Sequence, residues 1–199
     1  MTSLVETIKS DLRELRAELF VSKWFAEKTP FVFKSDAAAH ILWRQDLGAA
    51  LGISLFNVTL IGSAAVGISL NPSRNFAAFD GSSDIDLAVV STFHFEEAWR
   101  WLRQLGSGLY GLPRPAQQWV KEHEGRLVYW GMIATDQLLP HMPIGSKWLP
   151  NLARLSQTSP ANGRALTVRL YRDFDALEGA LQHTVRKMKT RIQGLGDHR

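Results

Sequence analysis

The chain predicts an α+β fold, a short mixed sheet with flanking helices and further helices added at both ends. Three observations carry this expectation. Apolar residues recur at helical spacing near both ends, short apolar and β-branched runs fall at residues 57–61, 85–90, 126–133 and 165–171, and turn-rich clusters separate them. Such a mixture packs as an α+β or three-layer arrangement. At 199 residues and 45% apolar composition, one domain with a substantial core is expected and disorder is not.

Taken in order, residues 4–28 read as one amphipathic helix, with Leu4, Ile8, Leu12, Leu15 and Leu19 on one stripe, ended by Pro30. Residues 31–33 form a connector or edge strand. Ser35 is placed to cap a second helix that Gly52 closes. Residues 57–61 are the first strand and 63–67 a short helix. A polar, turn-rich stretch at 68–83 precedes the second strand at 85–90, and residues 95–105 form a helix rich in Trp and Arg. After a loop at 106–115, residues 116–123 read as a helix and 126–133 as the third strand. Thr135 starts a helical turn, residues 146–155 form a short helix, 157–163 a turn cluster, 165–171 a further strand and 174–192 a final helix. The expected division is a helical addition at 1–52, a core at 57–133 and a C-terminal addition at 146–192. The seven Trp are too dispersed for a stacking platform and are expected to anchor helices to the sheet.

Composition removes several classes of chemistry. Without cysteine there are no disulfides, thiolate zinc sites or cysteine nucleophiles, so any catalytic metal is held by oxygen or histidine. A Gly-x-Ser-x-Gly elbow and a P-loop are both missing. No apolar run is long enough to span a bilayer, and the opening Met1-Thr2-Ser3-Leu4-Val5-Glu6 lacks the layout of a secretory signal, so a cytoplasmic protein without membrane contact is expected. The formal charge of +4 is modest, but residues 185–191 hold four cations. They read first as a solvated helix face, second as a contact for nucleic acid, phosphates or an acidic partner. His94, His123 and His141 lack zinc-pair spacing and read as surface or loop residues, His123 being the one positioned to approach a site.

The most informative residues are Gly62-Ser63, after the first strand, and Asp84-Ile85-Asp86-Leu87 at the second. Residues i and i+2 of a strand share a face, so Asp84 and Asp86 project together while Ile85 and Leu87 face the core. Two adjacent carboxylates repel unless neutralised, and Mg²⁺ held by one or two carboxylates plus substrate phosphates is the common neutraliser. Gly62 permits close backbone approach, and Ser63 offers a hydroxyl and N–H to an anion. Arg74, Arg169 and Arg172 are candidate phosphate contacts, with salt bridges as their alternative. Ser82 and Ser83 orient the carboxylates or simply make the turn.

An apolar strand ending in Gly62-Ser63, followed by a strand reading Asp84-Ile85-Asp86-Leu87, resembles the active-site signature of the DNA polymerase beta-type nucleotidyltransferase superfamily. The resemblance implies a nucleotidyltransferase-like core in which Gly62 and Ser63 hold a nucleoside triphosphate and Asp84 and Asp86 are catalytic ligands of Mg²⁺ or Mn²⁺; Arg74, from its own chemistry, is added as an expected nucleotide contact. It implies transfer of a nucleoside monophosphate to a hydroxyl of a protein, RNA or small molecule, by analogy with small prokaryotic members in toxin-antitoxin or antiviral systems. Two departures stand out: the long stretch 68–83, and the third carboxylate expected on a later neighbouring strand. Residues 126–133 contain no acid, leaving Glu122, Glu124 and Asp136 as candidates. That gap supports a second reading, an inactive nucleotide sensor or structural subunit that meets a protein partner through its terminal helices. A third reading is a nucleic-acid-binding protein using the basic C-terminal helix.

Overall fold

The computed structural model describes residues 3–196; residues 1–2, which open the segment read for a missing signal, lie outside it. Helix α1 (Leu4–Glu14) starts where the Ser3 hydroxyl accepts from the Glu6 N–H, and its stripe buries Ile8 and Leu12. The single helix expected over 4–28 does not form. Extended Leu15 (φ −86°, ψ 146°) ends α1; α2 (Ala17–Val21) and a π-helical segment, Ser22–Glu27, follow. The break has a physical cause. The buried Asp11 carboxylate accepts from Trp24 Nε1 at 2.8 Å and pairs with Lys23 at 2.7 Å, whereas thirteen residues of unbroken helix would hold these positions about 20 Å apart. Phe20 and Trp24 are buried as a result, and Leu19, expected on the apolar stripe, is half exposed.

A 3-10 turn, Phe31–Phe33, stands where a connector or edge strand was expected, so the segment is a connector and not a strand. Helix α3 (Ala37–Leu51) is capped by Asp36, whose carboxylate accepts from the Ala39 N–H at 2.9 Å, rather than by Ser35; it closes at left-handed Gly52 as expected. The remaining elements are β1 (Val58–Ile61), α4 (Gly62–Val66), β2 (Ile85–Val90), α5 (Thr92–Gln104), α6 (Arg114–Glu122), β3 (Met132–Ala134), α7 (Gly145–Ser156), β4 (Leu166–Tyr171) and α8 (Phe174–Gly196). The strands form one mixed sheet in the order β1-β2-β4-β3, with β2 and β4 parallel and the outer pairs antiparallel. The fold is α+β, as the sequence predicts. The sheet is not confined to 57–133, because β4, placed by sequence in the C-terminal addition, is the strand that joins β2 to β3.

Residues 126–133 are the main correction. Positions 123–127 are π-helical, 128–131 turn, and only Met132–Ala134 is strand. His123 explains the shape. Its fully buried ring contacts Trp119 O through Nδ1 and accepts the Ala134 N–H at Nε2 (3.0 Å), so an imidazole occupies the outer side of β3. His123 is therefore an interior residue and not a surface one. His94 is half buried beside Ser91 at the start of α5, and His141 is exposed.

The two faces of the sheet differ. Leu60, Ile85, Leu87, Val89, Ile133, Val168 and Leu170 belong to the main core, together with Trp148, whose indole donates to Leu51 O at 3.0 Å. On the other face α8 packs Leu177 over Ile61, Ala88, Val90 and Tyr171. Asp86 and Thr167 lie on the same face as Ala88, toward the start of β2 and β4, with Ile61 of the apolar patch as the register partner of Asp86. Among the described residues no helix is long and apolar enough to cross a membrane.

Burial lowers the pKa of His123 and of half-buried His40, the latter to about 4. Between the ordinary value of 6.5 and about 4 the unfolded chain binds the proton that folded His40 refuses, so stability falls as pH drops through this window. Urea unfolding at pH 7.5 and pH 5 is expected to show a smaller pH loss in His40→Gln than in the wild type, the carboxylates being common to both. His123→Ala is expected to cost about 1–3 kcal/mol at neutral pH by leaving the Ala134 N–H unpaired.

Candidate functional site

Both aspartates open onto one cleft of about 590 Å³. Asp84 is exposed immediately before β2, and Asp86 lies within the strand, half buried. Asp86 is held from two sides. Thr167, its register partner on β4, donates its hydroxyl to Oδ1 at 2.8 Å. Gly62 lies against Oδ2, with φ +65°, and any Cβ there would collide with that oxygen. Glycine is thus required twice at this position, for its backbone angle and for the close approach. Ser63 lines the cleft beside it. Ser82 and Ser83 serve the turn and not the aspartates, since their hydroxyls donate to Asp80 at 2.7 and 3.4 Å.

The stretch 68–83 forms one wall. The Ser69 N–H donates to Ala77 O and the Phe79 N–H to Gly67 O, at 2.8 and 2.9 Å, folding the segment on itself. Ile68 and Leu70 are buried, and Arg164 sits over the Phe79 ring at 5.2 Å. This anchoring holds Asn71, Pro72 and Arg74 at the cleft.

The floor beside Asp86 belongs to β4, which presents Thr167, Arg169 and Tyr171 on the same face as Asp86. This strand carries no acid. Of the three candidates for a third carboxylate, Glu122 and Glu124 are exposed and do not line the cleft, and Glu122 pairs with Arg126 at 3.2 Å. Asp136 faces a separate hollow of about 300 Å³ that it shares with Thr167. One of its oxygens is buried without a hydrogen-bond partner; burial raises its pKa, Arg169 opposes the rise and Asp86 adds to it. Burial likewise pushes the Tyr171 phenol up to about 12, against Arg169. Arg169 lines the cleft, whereas Arg172 pairs with Asp173 at 2.8 Å and does not.

Sequence reasoning missed Arg126, Trp130, His183 and Lys187, all at the cleft. Arg126 and Trp130 were hidden by their assignment to a strand. Lys187 belongs to the basic run that was recognised, yet that run divides: Arg186 pairs with Glu18 at 3.0 Å, Lys189 donates to Leu15 O, Val185 and Met188 are buried, and Lys187 turns to the cleft. The periodicity of 165–171 would have identified Thr167, Arg169 and Tyr171 as one face.

With Arg126 paired to Glu122, the cations Arg74, Arg169 and Lys187 still outnumber Asp84 and Asp86 around this space, an excess that suits a polyanion. The donor set also suits Mg²⁺ or Mn²⁺. Asp84 and Asp86 offer hard oxygens, and Thr167 and Gly62 hold Asp86 in place. Such a pair matches a cation that completes its shell with phosphates and water. Comparisons with protein-family models, with curated proteins and with solved structures found no match.

Gly62→Ala is expected to destabilise the fold by about 1–3 kcal/mol in urea unfolding, because it forces a left-handed alanine into the space of the Asp86 carboxylate. Gly179→Ala on α8, where a Cβ meets nothing within 4 Å, is expected to be neutral or to stabilise by up to about 1 kcal/mol.

Proposed function

We propose that the chain is a metal-dependent nucleotidyltransferase, moving a nucleoside monophosphate from a nucleoside triphosphate to a hydroxyl acceptor. The observation that carries the reading is the convergence of Asp84, Asp86 and Gly62-Ser63 with Arg74 and Arg169 in one cleft. In this reaction the acceptor oxygen bonds to the α-phosphorus, the bond from that phosphorus to the β-phosphate oxygen breaks, pyrophosphate leaves and the acceptor loses its proton. Asp84 and Asp86 would hold Mg²⁺ or Mn²⁺, which supplies charge neutralisation on the phosphates and lowers the pKa of the attacking hydroxyl.

The residues of the chain have separable roles. Thr167 keeps the Asp86 carboxylate aimed at the cleft. Gly62 brings backbone within reach of phosphate, and Ser63 adds a hydroxyl donor. Arg74, Arg169 and Lys187 offset the charge of the triphosphate and of departing pyrophosphate. Tyr171, whose phenol burial pushes up to about 12, stays protonated at neutral pH and does not serve as a base. The acceptor is a protein, an RNA or a small molecule, and the setting we favour is a cytoplasmic prokaryotic toxin-antitoxin or antiviral system.

A second reading is a nucleotide-binding sensor or structural subunit without turnover. It is favoured by Thr167 and Arg169, which occupy the β4 face beside Asp86 where a third carboxylate was expected.

The deciding experiment incubates the full chain with each labelled nucleoside triphosphate and Mg²⁺ or Mn²⁺, beside an Asp84→Ala/Asp86→Ala double variant. Pyrophosphate release and label transfer that the double variant abolishes are expected. Aspartate-dependent binding of intact nucleotide without turnover supports the sensor, and absence of binding removes both readings.

A further inference from the structure

The cleft has two chemically different ends. Asp84, Asp86 and Gly62-Ser63 form the charged end. Along β4, Tyr171 lies four residues beyond Thr167, about 13 Å at strand rise, and pairs there with Met132 of β3. Just before Met132 comes the turn that carries Trp130.

Trp130 is 60% exposed although it lines the cleft, and its indole lies on the His183 ring of α8, with centroids 6.3 Å apart and planes 22° apart. Tyr129 stands edge-on to it at 5.4 Å. Gly179 lies one turn before His183 on the same helix face and lines the same cleft. A side chain there would enter open space, so packing does not require glycine. Glycine within a helix costs about 1 kcal/mol relative to alanine, and its effect here is to leave a flat strip of backbone beside the aromatic pair. Leu127 and Leu181 add apolar surface.

This end is flat, aromatic and open, and it shares one cleft with a cation-rich end suited to phosphate. A planar heteroaromatic ring joined to a polyphosphate matches both. Building on the nucleotide reading above, we infer that Trp130, stacked on His183 and facing the gap at Gly179, is the platform for the base of the bound nucleoside triphosphate. An aromatic platform grips any base through its π-face. It therefore contributes affinity for the nucleoside, while the aspartates and cations contribute affinity for the triphosphate.

The test is calorimetric titration of the full chain, in Mg²⁺, with ATP, GTP, CTP, UTP and inorganic tripolyphosphate. The wild type is expected to bind at least one nucleoside triphosphate about tenfold tighter than tripolyphosphate, the scale of one stacked base. Trp130→Ala and Gly179→Leu, both at positions outside the packed core, are each expected to erase that advantage and to leave tripolyphosphate affinity within about twofold. Trp130→Phe is expected to retain most of it, and the Asp84→Ala/Asp86→Ala variant to weaken both ligands. If Trp130→Ala and Gly179→Leu leave nucleotide affinity unchanged while the aspartate variant lowers it, the base platform is wrong and the phosphate site stands. If the wild type binds neither ligand, or binds them independently of the aspartates, the nucleotide reading and the platform fall together.

Discussion

The parallel register of β2 against β4 is the constraint on which the cleft depends. It pairs Asp86 with Thr167 and Ala88 with Arg169, so a carboxylate, the hydroxyl that orients it and a guanidinium are arrayed on one face by backbone hydrogen bonds. Residues 81 positions apart in the chain thereby form a 2.8 Å hydrogen bond. The opposite faces of the same strands carry Ile85, Leu87, Val168 and Leu170, all buried. A slip of one residue in either strand would turn those side chains to the cleft and the polar ones to the core. Hydrophobic burial on one face therefore enforces the chemistry on the other.

Charge is distributed in keeping with that geometry. Asp84 is exposed and Asp86 half buried at an open cleft walled by cations, where solvent and guanidinium groups offset the repulsion between the two acids. Asp136 sits in the contrasting environment, one oxygen enclosed and without a donor and its pKa raised by burial. Helix α8 serves both layers. Its Leu177 covers the apolar end of the sheet face, Val185 and Met188 are buried, and Lys187 and His183 reach the cleft.

Some of this was legible in the chain and some was not. Strand β2 and helices α3, α5 and α8 follow from local periodicity and caps, which act within a few residues. Gly62, Ser63, Asp84, Asp86 and Arg74, singled out in the sequence by residue type and order along the chain, line one cleft in the structure. The break at Leu15 was not readable, because its cause is a bond between Asp11 and Trp24 that an unbroken helix forbids. The short β3 was not readable either, since Val128, Tyr129 and Trp130 look like strand residues and are placed in a turn, next to a strand edge that buried His123 covers. Trp130 and Lys187 escaped for the same reason, their role depending on which elements meet.

The sequence by itself determined the fold class, most element positions and the pair of acids with the glycine-serine turn, since these rest on side-chain alternation and backbone preference. Tertiary structure decided the strand order and placed Thr167, Arg169 and Tyr171, rather than an acid, beside Asp86. It also divided the C-terminal cations between the N-terminal helices and the cleft. Strand order and helix docking are set by which apolar faces bury each other across long chain separations, and no local pattern records that choice.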